Sequence, residues 1–283
     1  MTPHRLGLLL SVLGLSIGAA AFATLAGAGS SAARTSAAQV LRSNFISACA
    51  FSHQSNDDPI VYPNQFGKSH LHQFMGNDST NAASTLQSLL SASTSCRRSG
   101  DTAAYWAPAL LQGTTPVAPT GATIYYRRST LKAVKPFPAG LKMIAGASSA
   151  TTAQSARVTY WNCGPLVDVA NSSEIPTCPG GGANLRLHVR LPSCWDGKNL
   201  DSADHKSHMA YAIGRRCPKS HPVSVPAVEL IMKYPVLGGA GFQLSSGGQY
   251  SGHADFFNAW SQQELTRLVR SCLNAMRVCG TRG

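Results

Sequence analysis

The run Leu185-Arg-Leu-His-Val-Arg-Leu191 carries the alternation that decides the fold class of this chain. Successive side chains of a β-strand point to opposite faces of a sheet. The run therefore predicts a strand with one aliphatic face and one face that carries His188 and Arg190. Pro192 ends the strand, and a polar loop rich in histidine and aspartate continues to Tyr211.

Several other short segments alternate in the same way. They are residues 105–111, 122–128, 157–163, 228–234 and 242–244. Helical spacing is confined to a helix near 80–91, which follows a cap cluster at 77–80, and to a longer helix after Ser261, where Ser261 and Glu264 form a capping box. The sequence therefore predicts an all-β domain, a single sandwich or jelly roll with a few helices, including a C-terminal helix.

The first residues of the chain have the layout of an export signal. A positive start precedes an apolar run from Leu6 to Leu25, and small residues follow to Ala33. This order is typical of a secretory signal peptide cleaved after Ala28 or Ala33. An uncleaved membrane anchor is the alternative. We expect a signal peptide at 1–33, a flexible lead-in at 34–44, and one secreted domain at 45–283 without a transmembrane segment.

The eight cysteines agree with an exported protein. An even number of cysteines behind an export signal indicates a disulfide framework, although the connectivity remains open among about 105 possibilities. We predict sequential pairing because short loops cost the least entropy to close. The predicted pairs are Cys49–Cys96, Cys163–Cys178, Cys194–Cys217 and Cys272–Cys279.

The charge of the chain is strongly positive, with 24 Lys and Arg against 12 Asp and Glu. A basic exported protein favours anionic surfaces, such as an acidic cell-wall polysaccharide, and solubility alone is the alternative explanation. The basic residues are scattered and no nucleic-acid-binding motif is present. We therefore expect no nucleic-acid partner.

Short motifs of histidine, aspartate and aromatic residues are spread along the chain. They include Gly67-Lys-Ser-His-Leu-His-Gln-Phe-Met-Gly76, Ser193-Cys-Trp-Asp-Gly197, Asp204-His-Lys-Ser-His208 and Gly252-His-Ala-Asp-Phe256. In this order they resemble a secreted domain-of-unknown-function family of actinobacteria and filamentous fungi, often fused to WSC domains in fungi. The resemblance spans residues 45–275. It implies an exported domain at or near the cell wall and assigns no catalytic residue.

A metal site is one interpretation of the histidines. His70 and His72, like His253 and Asp255, are two residues apart, so a strand would present each pair on one face. Nitrogen and oxygen ligands of this kind suit zinc, copper or iron, which makes a divalent metal the candidate cofactor. The candidate ligands are His70, His72, His205, His208 and His253. We expect His72, His208 and His253 to lie close together, with Asp204 and Asp255 orienting the imidazoles. The alternative is that these side chains only order the loops by hydrogen bonding.

An acid–base site is the second interpretation. A lyase acting on an acidic polysaccharide needs a base and an acid, commonly His and Tyr, with Arg holding the carboxylate. The candidate catalytic residues are His72, His188, Arg190, His208, Tyr211, His253 and Asp255. A hydrolase needs paired carboxylates, and among the glutamates only Glu229 remains for that role, together with Asp255, Asp196 or Asp204.

Trp195, Asp196 and Asp204 are the candidate substrate-binding residues. Trp195 lies in a polar loop, where an indole ring can stack on a sugar, and packing over a disulfide is the alternative. The sequence thus predicts an exported protein that binds or acts on cell-wall or extracellular polysaccharide. Catalysis and simple binding both remain open. A His/Asp metal-binding protein and a non-catalytic wall module are the alternatives.

Overall fold

A computed structural model of the chain describes residues 38–165 and 170–281. The predicted signal peptide at 1–33 lies outside these residues. The strands are β1 (Asn44–Cys49), β2 (Phe51–Ser55), β3 (His72–Gly76), β4 (Ala104–Pro108), β5 (Leu110–Gln112), β6 (Thr115–Val117), β7 (Gly121–Arg127), β8 (Lys142–Gly146), β9 (Thr159–Cys163), β10 (Leu185–Arg190), β11 (Cys194–Trp195), β12 (Met209–Ala210), β13 (Val223–Ser224), β14 (Ala227–Lys233), β15 (Phe242–Leu244), β16 (His253–Phe257) and β17 (Val278–Gly280). After a helical stretch at 38–42, the helices are α1 (Leu86–Leu90), α2 (Gln262–Leu268) and a π-helix (Val269–Asn274).

The largest sheet has six strands in the order β17-β1-β7-β14-β10-β9. Strand β10 pairs antiparallel with both of its neighbours, so that His188 lies opposite Ile231 on one side and Tyr160 on the other. The burial pattern of β10 keeps Leu185, Leu187 and Val189 inside, as the alternation predicts. This confirms the strand on which the fold assignment rests.

The second large sheet has five strands in the order β2-β3-β4-β16-β8. Strand β4 pairs with β3 on one side and with β16 on the other. Only one strand therefore separates His72 on β3 from His253 on β16. Two further sheets of three strands each, β12-β11-β13 and β15-β5-β6, complete the described β-structure.

The inner faces of the two large sheets share one hydrophobic core. Phe45 and Tyr126 of the six-stranded sheet stack with ring centroids 4.6 Å apart. Tyr105 and Phe256 of the five-stranded sheet pack at 5.2 Å, and all four side chains belong to the same buried cluster. The shared core confirms the predicted all-β sandwich architecture.

A buried polar chain links the two sheets inside this core. The Trp260 indole donates to the Tyr126 hydroxyl at 2.8 Å, and that hydroxyl contacts the hydroxyl of Tyr105. Tyr105 and Ser47 both donate to the Asp101 carboxylate. Burial raises the pKa of Asp101 to about 7. Each of these buried polar groups therefore has a hydrogen-bond partner, as a polar group in the interior requires.

The outer face of the five-stranded sheet is also covered. Residues 56–71 and α1 lie over it, and they bury Ile60 and Leu89 against Phe74, Trp106 and Phe257. Histidines and aspartates of β3 and β16 that point outward therefore do not face bulk solvent. They lie in a covered layer, where polar atoms must find partners within the protein or in a ligand.

The four disulfides join the cysteines in the predicted sequential order: Cys49–Cys96, Cys163–Cys178, Cys194–Cys217 and Cys272–Cys279. Each bridge closes a loop at the edge of a sheet or helix. Loop closure of this kind restricts the unfolded chain and stabilises the fold by about 2–4 kcal/mol per bridge.

The first predicted helix is shorter than its apolar spacing suggests. The structure has a single turn, α1, capped by Thr85 in a capping box with Ser88. Residues 77–84 form turns instead, because Asn77 accepts a hydrogen bond from the Ser79 amide and Asn81 accepts one from the Ala83 amide. Short polar side chains compete with helix formation in this way.

The C-terminal helix is present as predicted and begins after its cap, Ser261, whose hydroxyl accepts a hydrogen bond from the Glu264 amide. It changes to the π-helix at Val269, and its buried face includes Leu265 and Cys272. Residues 38–42, within the predicted lead-in, are helical, and Val40 is buried. None of the helices in the described residues is long and apolar enough to cross a membrane.

Candidate metal centre

Three histidines meet on the outer face of the five-stranded sheet. His72 begins β3, His70 precedes it by two residues, and His253 begins β16. The ring centroids of His70 and His72 are 4.2 Å apart, and those of His72 and His253 are 5.7 Å apart. The Nε2 atoms of His70 and His253 approach to 3.1 Å. One nitrogen from each ring lies within 4.8 Å of the others, a spacing that a single metal ion can bridge.

The backbone fixes the orientation of two of these rings. Nδ1 of His72 lies 3.0 Å from the carbonyl oxygen of Asp57, and Nδ1 of His253 lies 2.9 Å from that of Ser251. Because a carbonyl oxygen can only accept, Nδ1 carries the proton in each ring and Nε2 keeps its lone pair. A hydrogen bond of this kind on the far nitrogen is the usual support for a metal-binding histidine.

Two carboxyl groups extend the cluster on the side of His72. Oxygens of Asp58 and Asp255 lie within 4.8 Å of each other and of a ring nitrogen of His72. Asp58 Oδ1 accepts hydrogen bonds from the amides of Ile60 and Val61, which holds the covering loop in place. His72 therefore belongs to two overlapping groups, one of three imidazoles and one of an imidazole with two carboxylates, and nitrogen and oxygen ligands of this kind suit zinc, copper or iron.

Two atoms of the cluster are buried without any hydrogen-bond partner. They are Nε2 of His72 and Oδ2 of Asp255, in side chains that are 0% and 2% exposed. An unpaired buried polar atom costs about 1–3 kcal/mol. These two atoms, one a lone-pair nitrogen and one a carboxyl oxygen, are of the types that bind cations.

Burial keeps the histidines neutral. It lowers the pKa of His70 to about 4 and that of His253 to about 3, and it lowers the pKa of His72 as well. Burial also raises the pKa of Asp255 and of Asp58. Neutral imidazoles are the form that binds metals, and a bound cation would remove the penalty on the carboxylate charge.

The cluster opens into a pocket of about 220 Å³. His70, His253 and Asp255 line its inner end, whereas Tyr62, His205 and Lys206 lie on its other walls. His72 is not part of the lining and therefore lies behind the other two histidines. We call this space the metal pocket. A ligand that enters it reaches the exposed side of the three-histidine cluster.

Gly146 sets the close approach of β8 to the cluster. It lies opposite His253 with a φ of 84°, and a Cβ atom there would come within 2.4 Å of the Gly252 carbonyl oxygen and 2.9 Å of the His253 Cα atom. Only glycine tolerates this combination of backbone angle and contact. A side chain at position 146 would displace the backbone that holds His253.

The remaining candidate ligands lie at or beyond the rim. His205 lines the metal pocket, but its Nδ1 atom is 2.8 Å from Asp201 Oδ1. His208 is buried with both nitrogens engaged, by Ser202 Oγ at 2.8 Å and by the Lys142 carbonyl oxygen at 2.7 Å. The expected meeting of His208 with His72 is therefore not what the structure shows; His70 takes that place because β3 and its preceding residues approach β16.

Asp204 also differs from its expected role as an orienting group. Its Oδ1 atom accepts hydrogen bonds from the Ser202 hydroxyl and from the amides of Lys206 and Ser207. These contacts order the loop 202–207, and Asp204 reaches an imidazole only through Ser202 Oγ, which lies 2.8 Å from His208 Nδ1. Asp204 nevertheless lines the metal pocket, so it remains within reach of a ligand there.

The candidates His188 and Arg190 lie on β10 of the six-stranded sheet, and Tyr211 directly follows β12. His188 is held by Glu229 at 3.2 Å and by Asn162 at 3.0 Å, and Arg190 reaches the same Glu229 oxygen at 3.1 Å. Tyr211 donates to the carbonyl oxygen of Arg190 at 2.8 Å. We call His188, Arg190, Arg127, Tyr160 and Glu229 the glutamate cluster. It is separate from the three-histidine cluster.

Trp195 and Asp196 have local partners in their own loop. The Trp195 indole donates to the Asn199 carbonyl oxygen at 2.6 Å, and the ring packs against the main core. Asp196 accepts hydrogen bonds from the amides of Lys198 and Asn199. Their predicted contact with substrate stays a prediction, and the structure gives both residues a role in ordering the turn.

Two residues of the site carry no clear signal in the sequence. Asp58 belongs to a polar turn, Asn56-Asp-Asp-Pro59, and Tyr62 follows it in a loop. No short motif links either residue to the histidines, which lie 8 positions or more further along the chain. Only the folding of residues 56–71 across the sheet brings them to the metal pocket.

Comparison with known proteins gives one family. Residues 58–260 match the model of a family described as Domain of unknown function (DUF1996), and this range contains every residue of the metal pocket and of the glutamate cluster. Among curated proteins and solved structures, no match to the chain is found. The assignment of chemistry therefore depends on the geometry of the described residues.

Proposed function

The chain belongs to the domain-of-unknown-function family DUF1996, and we propose that it is an exported metalloprotein that binds one zinc-class ion through His70, His72 and His253. Asp255 lies beside His72 as the carboxylate of the site. The observation that carries the proposal is the pair of buried atoms, His72 Nε2 and Asp255 Oδ2, that have no partner within the protein.

Hydrogen bonding alone explains only part of the cluster. The Nε2 atoms of His70 and His253 can share one proton across their 3.1 Å separation. The same arrangement gives no donor to His72 Nε2, whose ring has its only proton on Nδ1. It also leaves Asp255 Oδ2 unpaired in a buried position. A cation held by the three imidazoles gives His72 Nε2 a partner, and Asp255, which has an oxygen within 4.8 Å of a ring nitrogen of His72, lies next to that ion.

The position of the ion determines what it does. Three protein nitrogens leave a coordination position free, as in catalytic rather than structural zinc sites. His70, His253 and Asp255 line the metal pocket, so the free position faces the space that a ligand enters. An ion there supplies Lewis-acid chemistry to an oxygen atom of the ligand. Asp58 and Asp255, on the same wall, are placed to accept a proton from that ligand or from water.

Export is the second part of the proposal. Four disulfides among the described residues support an oxidising compartment outside the cytoplasm. The signal peptide at 1–33 and the association with cell-wall polysaccharide remain predictions from the sequence.

Metal binding is tested with purified protein stripped by a chelator. Calorimetric titration with Zn²⁺ is expected to show one site per chain. The variant His72→Ala is expected to lose at least 10-fold in affinity, because it removes the ligand at the back of the cluster. Elemental analysis after dialysis against Zn²⁺ measures the same difference as bound metal per chain.

The matched control is His221→Ala. His221 is a histidine whose two nitrogens contact Ser220 Oγ and the Ser207 carbonyl oxygen, away from the cluster. This variant is expected to bind Zn²⁺ as the unmodified protein does. Equal loss in both variants, or no binding by the unmodified protein, would show that the three histidines form only a hydrogen-bonded cluster.

A further inference from the structure

The metal pocket continues into two further depressions. A middle depression of about 300 Å³ shares Ile144, Gly146 and Lys206 with the metal pocket. A third depression of about 780 Å³ shares Val158 and Tyr211 with the middle one. The shared walls make the three spaces adjacent steps of one groove that runs from the three-histidine cluster to the glutamate cluster.

The far end of this groove is strongly basic. Five arginines line the third depression, which we call the arginine pocket, and Glu229 is its single acidic residue. The lining arginines are Arg127, Arg128, Arg157, Arg190 and Arg215. Glu229 is already held by Arg127 at 2.8 Å and by Arg190 at 3.1 Å. The positive charge of the pocket therefore exceeds what its own carboxylate neutralises.

Two of these arginines are available to a ligand. Arg157 and Arg215 are exposed, and neither guanidinium has a hydrogen bond or ion pair with another described side chain or carbonyl. Arg128 differs, because its guanidinium is buried and donates to the carbonyl oxygens of Thr130, Leu131 and Lys132. Free guanidinium groups at the rim of a depression bind carboxylates or phosphates through charge-assisted hydrogen bonds.

The walls between the two ends suit sugar rings. Val158 and Tyr211, which line both the middle depression and the arginine pocket, offer apolar surface, and Leu191, Ser155 and Ser193 also line the arginine pocket. Apolar faces flanked by hydroxyls match a ring that has C–H groups on its faces and hydroxyls on its edge. A single small anion would fill only the arginine pocket and would leave the middle depression and the metal pocket empty.

We propose that this groove binds a linear anionic polysaccharide, with acid groups on Arg157 and Arg215 and a further sugar unit in the metal pocket. The inference rests on the proposed metal site for the identity of one end of the groove. The charges of the two ends differ: Asp58, Asp204 and Asp255 lie at the metal end, and arginines lie at the other.

The test measures the affinity of the full mature protein for a hexasaccharide of galacturonic acid by calorimetry at physiological salt. The double variant Arg157→Ala/Arg215→Ala is expected to bind it at least about 10-fold more weakly, since each guanidinium contributes a charge-assisted contact. The control is Arg270→Ala/Arg277→Ala. It removes the same charge from exposed arginines outside the groove and is expected to change affinity less than about 2-fold.

Three results would contradict the proposal that the groove binds an anionic polysaccharide. These are equal weakening in both double variants, equal affinity for a neutral hexasaccharide, and equal affinity for monomeric galacturonate. Tighter binding of a polyphosphate of the same length would overturn the assignment to a saccharide. Zn²⁺ binding is measured on the same samples and is expected to be unchanged in both double variants. A protein that binds Zn²⁺ but not the uronate contradicts the groove alone, and the reverse result contradicts the metal site alone.

Discussion

The outer faces of the two large sheets each carry a histidine beside a carboxylate, but the two pairs differ in how they are satisfied. His188 and Glu229 on the six-stranded sheet have partners for every polar atom: Asn162, Tyr160, Arg127 and Arg190 complete the cluster. His72 and Asp255 on the five-stranded sheet each keep one buried atom without a partner. The first pair is satisfied within the protein, whereas the second pair lies where we propose that a metal ion binds.

The two pairs differ because positively charged side chains form ion pairs with Glu229 but, in the described part of the chain, not with Asp255. Glu229 lies on a central strand between β7 and β10, and both neighbours present an arginine to it. His72 and Asp255 lie under the loop 56–71, where no lysine or arginine forms an ion pair with either group among the described residues. Burial without a counter-charge is costly to folding. Such a cost persists where function requires it.

The largest expected effect is on the satisfied cluster. Replacing Glu229 with alanine leaves Arg127, Arg190 and His188 without their shared acceptor, which is expected to lower the unfolding free energy by about 3 kcal/mol. Urea denaturation at pH 7 measures it. The control Glu264→Ala, which breaks a more exposed pair with Arg267, is expected to cost less than about 1 kcal/mol. Equal costs would show that the buried, shared position of Glu229 adds nothing beyond an exposed ion pair.

The next effect belongs to the incomplete cluster. Zn²⁺ at 100 times its dissociation constant is expected to raise the unfolding free energy by about 2.7 kcal/mol. This Zn²⁺-dependent increase in unfolding free energy is expected to remain in His188→Ala and to be absent in His72→Ala, because only His72→Ala removes a ligand. Thermal denaturation with and without Zn²⁺ compares the three proteins. An increment that disappears in His188→Ala would assign the metal to the other face.

The third prediction concerns the pH dependence of stability on the outer face of the six-stranded sheet. Burial acts against the charge of Glu229, but His188, Arg190 and Arg127 outweigh it and lower its pKa to about 2. A lowered pKa stabilises the fold above the unfolded value of 4.5, and this stabilisation is lost as pH falls towards 2. The stability gap between the unmodified protein and Glu229→Gln is therefore expected to narrow by about 2 kcal/mol between pH 5 and pH 3. A gap that stays constant with pH would contradict this.

The smallest effect is the most informative about Asp255. Because its carboxyl group has an unpaired oxygen and burial raises its pKa, the variant Asp255→Asn is expected to change the stability of the metal-free protein by less than about 1 kcal/mol. Urea denaturation in the presence of a chelator measures it. A loss as large as that of Glu229→Ala would show that Asp255 stabilises the fold by itself.

Local patterns in the sequence account for most of the fold. Two-residue alternation predicts β10, β9, β7 and β14 because the inner face of each strand meets the common core. The disulfide pairing follows from loop length and is confirmed. The helix near 80–91 is the exception, since Asn77 and Asn81 form turns where the apolar spacing suggests a helix.

Such sequence patterns predict less of the candidate site. The spacing of His70 and His72, and of His253 and Asp255, identifies the residues, but it gives His188 and His208 the same weight. What separates them is hydrogen-bond partnership, which depends on residues far away in the chain: Glu229 for His188 and Lys142 for His208. Asp58 enters the cluster only because the loop that contains it folds over the sheet.

The most direct test is a crystal structure of the protein grown with Zn²⁺, with an anomalous difference map recorded at the zinc edge. The proposal predicts one strong peak about 2.0–2.2 Å from Nε2 of His70, His72 and His253. It also predicts that this peak borders the metal pocket. A map without a peak there, with the Nε2 atoms of His70 and His253 still 3.1 Å apart, would contradict the metal site.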